Sequence, residues 1–303
     1  MSRARQSPSM AEPPSGIIEF MAAKSKSKAA CVIGWPVEHS RSPLIHRYWL
    51  KQYGIDGAYE KEAVRPEALA RFLGSLGAQG FAGANVTLPH KEAALKLAAV
   101  ADEAARAIGA ANTLWFDQAG RLCAGNTDAY GFITNLNQAA ADWNEGCRSV
   151  MVLGAGGAAR AILHGLLAEG VTRILLANRT RGRAEALAQA FGPAVGAIDW
   201  EHRNRALSGC GLLVNATSLG MTGKDPLDID LAALPKNAVV ADIVYNPLET
   251  PLLAAARARG NRVVDKLGIL LHQAAPGFEH WFGVRPEVTA ALRAHVAASL
   301  GAA

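Results

Sequence analysis

Ser149-Val150-Met151-Val152-Leu153-Gly154-Ala155-Gly156-Gly157-Ala158-Ala159 runs from a short apolar stretch straight into a glycine cluster. An apolar run of this length ending at Gly reads as a buried strand, and the small residues after it open a helix through Ala168. The spacing fits G-x-G-x-x-A. Gly154 makes the tight turn, Gly156 lets backbone approach a pyrophosphate, and the small Ala159 lets helix and strand pack closely. A glycine cluster alone is weak, but the strand before it and the helix after it give it weight. The fold class is therefore α/β, with a Rossmann-like dinucleotide unit in the second half of the chain.

The next strand of such a unit selects the nucleotide. An NAD site places Asp or Glu at its end, where the carboxylate holds the ribose 2′-hydroxyl. Here Ile174–Ala177 runs into Asn178-Arg179-Thr180-Arg181-Gly182-Arg183, with no carboxylate. Arg179 and Arg183 offer planar forks to a 2′-phosphate, and Thr180 a hydroxyl. A solvated basic helix start is the duller reading, but cations at that end oppose the helix dipole. NADP is the expected cofactor. Further strands are expected at Leu212–Asn215, Ala238–Ile243 and Arg262–Asp265.

Upstream, Ala29–Gly34 reads as a buried strand, followed by a Pro/His/Ser loop (Trp35–Pro43) and a helix over Leu44–Tyr53. Ala58–Val64 reads as a strand, and Pro66 opens a helix with Leu69, Phe72, Leu73 and Leu76 on one face. Gly80–Thr87 reads as a third strand, with Pro89 starting the next helix. Strands alternating with helices imply a mostly parallel sheet covered on both faces. Asp128–Trp143 reads as a connecting helix, and Leu267–His280 with Pro286–Leu300 as closing helices.

A chain of 303 residues suits about two domains. The net charge of +5 is largely a tail effect: residues 1–28 hold five basic residues against Glu12 and Glu19. A nucleic-acid partner is therefore not expected. No apolar run is long enough to span a bilayer. The four cysteines are widely spaced, without a CxxC pair or a His at zinc spacing, so reduced thiols, a cytoplasmic location and no metal are expected. Residues 1–28, rich in Ser, Pro, Ala and basic residues, read as a disordered tail or an over-extended start, with Met10 and Met21 as later candidates. A transit peptide is the lesser reading, because the segment is Pro-broken and not amphipathic.

Four polar clusters lie outside the glycine loop: Ser40-Arg41-Ser42-Pro43, Asn85-Val86-Thr87-Leu88-Pro89-His90-Lys91, Asn112-Thr113 and Asn126-Thr127-Asp128. Each sits near the end of an apolar segment, and ligands of open α/β sheets bind beyond the carboxyl ends of the strands. Singly, each has a plainer reading. Ser40 and Asp128 could cap helices, and Lys91 could be a surface lysine. Together they are harder to dismiss.

These clusters resemble the shikimate dehydrogenase family, as do Gly154 to Arg160, Asn178-Arg179-Thr180, Asn215 to Met221 and Leu271-His272-Gln273-Ala274-Ala275. The resemblance spans about residues 30–300 in the family's order. Asn-Val-Thr-x-Pro-x-Lys beside Asn-Thr-Asp is its most specific part. It implies reversible NADPH-dependent reduction of 3-dehydroshikimate to shikimate, on the route to chorismate. It further implies a substrate domain over 29–128, completed by 267–303, and an NADP-binding domain over 129–266. Ser40 and Ser42 would hold the substrate carboxylate. Asn85, Thr87, Lys91, Asn112, Asp128 and Gln273 would meet the ring hydroxyls, and Tyr245 would approach the substrate. Gly154, Ala155, Gly156, Gly157, Ala158, Asn178, Arg179, Thr180, Arg183 and Thr217 would hold the nucleotide, with a monomer or homodimer as the assembly.

Lys91 and Asp128 would form the catalytic pair, and elementary chemistry agrees. Hydride addition to a ketone builds an alkoxide, which needs a proton and nearby positive charge; a lysine ammonium supplies both. Asp128 would orient it. One departure stands out: the family usually reads Asp-Gly-x-Gly-Met where this chain has Asp265-Lys266-Leu267-Gly268-Ile269. A backbone needing glycine's freedom at 266 would be disturbed by Lys. Ile243 replaces a frequent Met, a milder change. Two other readings stay open: a quinate/shikimate dehydrogenase with broader cofactor use, and a non-catalytic shikimate-binding regulator.

Overall fold

The structure, a computed structural model, describes residues 28–299. The expected tail lies outside the described residues, apart from Lys28, which is already part of the first strand. The first sheet holds β1 (Lys28–Gly34), β2 (Gly57–Ala63), β3 (Phe81–Val86), β4 (Val100–Ala101), β5 (Thr113–Phe116) and β6 (Leu122–Gly125), in the order β2-β1-β3-β5-β6-β4. Pairings β1–β2, β1–β3 and β4–β6 are parallel, while β5 runs antiparallel to both β3 and β6. The β5–β6 hairpin was not read from the sequence. Its turn is built by Asp117, whose carboxylate accepts from the Ala119 and Arg121 amides, and by Gly120 at φ 74°.

The second sheet holds β7 (Val150–Leu153), β8 (Ile174–Ala177), β9 (Val195–Ile198), β10 (Leu212–Asn215), β11 (Val239–Asp242) and β12 (Arg262–Val264). Its order is β12-β11-β10-β7-β8-β9, parallel throughout. This is the doubly wound arrangement expected from the glycine loop. β9 had no clear signal, since Val195-Gly196-Ala197-Ile198 is too short and mixed to show a period.

Helix boundaries moved where local chemistry overrode the pattern. The first helix spans Ser42–Gln52, with Pro43 in its opening turn, and Pro66 begins a short 3₁₀ turn before the helix Leu69–Ser75. The helix expected from Pro89 starts at Lys91. The connecting helix spans Asp128–Ala139, leaving Trp143 buried beyond its end. The closing helices are Lys266–Phe282 and Ala290–Ala298.

Lys266–Phe282 follows the second sheet in sequence but belongs to the core of the first. Its Leu267, Leu271, Ala274 and Phe278 pack with Trp49 and Tyr59. Trp281 reaches further and donates its indole N–H to the Leu114 carbonyl at 2.8 Å. That closeness requires glycine at 83, where an added Cβ would stand 2.1 Å from the Leu114 carbonyl oxygen and 2.2 Å from the Trp281 ring nitrogen. Neither can move without breaking the β3–β5 ladder or the indole bond. Gly83→Ala is therefore expected to cost about 1–3 kcal/mol, read as a lower urea midpoint. An unchanged midpoint would contradict this packing.

Candidate active site

The first sheet delivers all four polar clusters to one edge. In the register, Val32 pairs with Asn85, Asn85 with Thr113, and Thr113 with Gly125. Because β5 runs antiparallel, its amino end lies beside the carboxyl ends of β3 and β6. Asn112, Asn85 and Asn126-Thr127-Asp128 thus meet, with the Ser40–Ser42 loop following β1 at the same edge. The hairpin is what makes the convergence possible.

Ser40, Ser42, Asn85, Thr87, Lys91, Asn112, Asp128, Tyr245 and Gln273 all line one cavity of about 290 Å³. That volume is small for a ligand site and suits a compact polar molecule. Tyr245 comes from the loop after β11, so both sheets contribute to the wall. His39 and Arg41 line it too, and the sequence reading assigned them no role.

At its centre the Lys91 Nζ donates to Asp128 Oδ2 at 2.6 Å, with side chains 27% and 31% exposed. Asp128 Oδ1 accepts from Asn112 Nδ2 at 2.9 Å. Asn112 is fixed in turn, its Oδ1 accepting from the Thr127 amide and the Thr113 hydroxyl, both at 2.9 Å. The Thr127 hydroxyl donates to the Gln273 carbonyl at 2.8 Å, tying the closing helix to the site.

Burial alone would raise the Asp128 pKa; the Lys91 charge, the Lys91 hydrogen bond and the Asn112 amide outweigh it and hold the carboxyl below 3.8. A depressed folded pKa means that the pairing is complete above the ordinary carboxylate range and is lost only as pH falls through the lower value. The rate profile is therefore expected to show no acid limb from Asp128 above about pH 4, read alongside an NMR titration of its carboxyl carbon. A carboxyl titrating above about pH 5 would contradict the geometry.

Asn85 shows a support the sequence did not reveal. Its Oδ1 accepts from the Tyr59 hydroxyl at 2.6 Å and from His46 Nε2 at 3.2 Å. Burial pushes the His46 pKa down to about 3, so its ring is neutral, carrying its proton on Nε2 to donate to Asn85. The ring stacks on Tyr59 at 4.1 Å and leaves its Nδ1 without a partner among the described residues. This orients the amide and leaves its nitrogen with only long contacts, to the Asn112 carbonyl at 3.3 Å and the Thr113 hydroxyl at 3.4 Å. The sequence reading gave His46 and Tyr59 no role, because their partner Asn85 comes from another element; a polar residue among the buried positions of the first helix was the one available signal.

A second cavity, of about 490 Å³, adjoins the first. Gly157 and Ala158 line it on one side, Thr87, Lys91 and Asp128 on the other. The glycine loop fits a nucleotide. Gly154 adopts φ +102° with an added Cβ only 2.9 Å from the Ala216 carbonyl oxygen, so only glycine serves there. Above Gly156 and Gly157 the space is open, and no side chain caps the helix Gly157–Ala168. Free amides facing open space at a helix start suit a pyrophosphate.

Asn178 is a brace, accepting from the Ala155 amide at 3.2 Å and donating to the Thr180 carbonyl at 2.8 Å. Arg181 is occupied by Glu185 and Asp199. Arg179, Thr180 and Arg183 are exposed and outside the second cavity, and the two arginines have no carboxylate partner among the described residues. Thr217 lies against Gly154, but its hydroxyl is used within its own turn, donating to Asn215 and accepting from Leu219. At position 266 the concern about backbone freedom is not realised. Asp265 caps the helix through Leu267, Lys266 begins it in ordinary conformation, and no non-glycine residue among those described has positive φ.

Comparison with known proteins agrees with this arrangement. Residues 32–114 match the shikimate dehydrogenase substrate binding domain model, and residues 137–222 match the shikimate / quinate 5-dehydrogenase model. The chain belongs to the shikimate dehydrogenase family. It is 58% identical over 281 residues to the NADP(+) shikimate dehydrogenase of Nitrobacter hamburgensis, covering 93% of this chain and 98% of that one. Among solved structures it resembles Thermus thermophilus shikimate 5-dehydrogenase in complex with NADP(H) and shikimate, with a TM-score of 0.77 and 35% identity, covering 91% and 99% of the two chains. It also resembles Corynebacterium glutamicum quinate dehydrogenase in complex with NAD, with a TM-score of 0.82 and 31% identity, covering 89% and 98%. No helix among the described residues is long and apolar enough to cross a membrane.

Proposed function

We propose that this chain is an NADP-dependent shikimate dehydrogenase, interconverting 3-dehydroshikimate and shikimate on the route to chorismate. The observation that carries the reading is the Lys91–Asp128 pair, which lines both the small polar cavity and the one opening toward the glycine loop. Residues 29–128 with 267–303 form the substrate unit in this reading, and 129–266 the nucleotide unit, working in the cytoplasm as monomer or homodimer.

NADPH, when bound, supplies the hydride. The amides after Gly156 would hold its pyrophosphate, and Arg179 and Arg183 would clamp its 2′-phosphate. Ser40 and Ser42 hold the substrate carboxylate. Asn85, Thr87, Asn112, Tyr245 and Gln273 meet the ring and its hydroxyls. As charge builds on the carbonyl oxygen, the Lys91 ammonium stabilises it and gives up a proton; in the reverse direction the neutral amine takes the proton from the hydroxyl. Asp128 keeps Lys91 aimed, and Asn112 keeps Asp128 in place.

The test is a comparison of initial rates with shikimate and quinate under NADP and NAD. The shikimate–NADP pair is expected to be the fastest, since β8 ends without the carboxylate an NAD site uses. A faster quinate–NAD rate would move the chain to the quinate branch of the family.

A further inference from the structure

Among the described residues, Lys266 is the one charged side chain, besides the Lys91–Asp128 pair, that lines both cavities. It is half-buried at the first position of the helix Lys266–Phe282, and its Nζ stands 5.2 Å from the centroid of the Tyr245 ring, which holds it by cation–π attraction. The charges acting on it are Asp128, Lys91 and Asp242. Lys91 and Asp128 are paired to each other at 2.6 Å and largely cancel. Asp242 is fully buried, its oxygens accepting from Asn215 at 3.0 Å, from the Val244 amide at 2.9 Å and from Thr250 at 2.7 Å. Those three donors occupy its oxygens, and among the described residues it makes no ion pair with Lys266. Lys266 therefore brings an ammonium with no direct carboxylate partner among the described residues to the wall between the cavities.

What lies against that wall follows from the reaction. A nicotinamide that passes hydride to a carbonyl beside Lys91 would be held by the residues of the second cavity, which Gly157, Lys91 and Lys266 line together. The oxidised ring carries a positive charge and the reduced ring does not. We propose that Lys266 is a specificity-determining residue that makes the site hold NADPH in preference to NADP+, favouring ketone reduction and release of the oxidised nucleotide. This rests on the NADP reading above. The solution equilibrium of the reaction is untouched; what changes is how tightly each redox form is held.

The effect depends on pH in a stated direction. Burial lowers the Lys266 pKa, with Lys91 lowering it further and Asp128 and Asp242 pulling it up. The discrimination is thus full below that lowered value and fades as pH rises through it, earlier than for an ordinary lysine.

Calorimetric titration of NADP+ and NADPH against wild type, Lys266→Met and Lys266→Arg tests the proposal. Methionine keeps the stem without the charge, at a helix start where a cation is unfavourable, so folding is not at risk. The ratio Kd(NADP+)/Kd(NADPH) is expected to fall about tenfold in Lys266→Met, a modest part of the repulsion between unit charges sharing one cavity. Lys266→Arg should keep the wild-type ratio. An unchanged ratio in Lys266→Met, with both nucleotides bound, overturns this inference and leaves the NADP reading standing. So does an equal fall in both variants, which makes size the cause. Wild type that binds neither nucleotide overturns both.

Discussion

Lys91→Met lowers turnover of shikimate by at least about a hundredfold, the scale of lost general acid–base catalysis, while KM for shikimate stays within a few-fold of wild type. The thioether keeps most of the aliphatic stem, so neither cavity collapses. What disappears is the ammonium that donates to Asp128 and lines both cavities. Asp128 is left as a half-buried carboxylate with Asn112 as its remaining side-chain donor, and its pKa rises accordingly. Asp128→Asn is the informative partner, since it removes the aim and keeps the acid. A smaller fall there, with strong non-additivity in the double variant, identifies the two as one unit. Turnover in Lys91→Met within about tenfold of wild type would remove Lys91 from proton transfer and revive the non-catalytic binding reading.

Arg179→Ala combined with Arg183→Ala weakens NADPH binding by about a hundredfold and leaves NADH binding nearly unchanged. Each guanidinium can give a charge-assisted, bidentate contact to phosphate, worth about 1.5–3 kcal/mol. The pair is well suited to a clean test, because both side chains are exposed and neither holds a carboxylate among the described residues. Arg181, between them in sequence, is committed to Glu185 and Asp199 and serves as the control: Arg181→Ala should alter stability more than nucleotide choice. Equal losses for NADPH and NADH in the double variant would mean that the arginines do not read a 2′-phosphate.

The nucleotide half was legible because its signals are local. Gly154 and Gly156 sit at fixed spacing after an apolar strand, and the missing carboxylate is read off the few residues after Ala177. The substrate half was legible from the residues as clusters, and as one site only through the family resemblance. Nothing in the spacing of Asn85, Asn112 and Asp128 says that they share one sheet edge; that needs the β5–β6 hairpin, whose short strands and Asp117 turn gave a weak pattern. His46 and Tyr59 were missed for the same reason, because their link to Asn85 is a contact across 39 and 26 residues. Lys266 was noticed as a departure, but the sequence suggested backbone strain. The structure places the difference in the side chain, at the wall between two cavities.

Addition of 3-dehydroshikimate to wild-type protein and NADPH, with chromatography of the product, is the most direct measurement. One shikimate formed for each NADPH consumed is the expected result, with both lost in Lys91→Met. Nucleotide binding without any shikimate formed would contradict the assignment of Lys91 and Asp128 as a working catalytic pair.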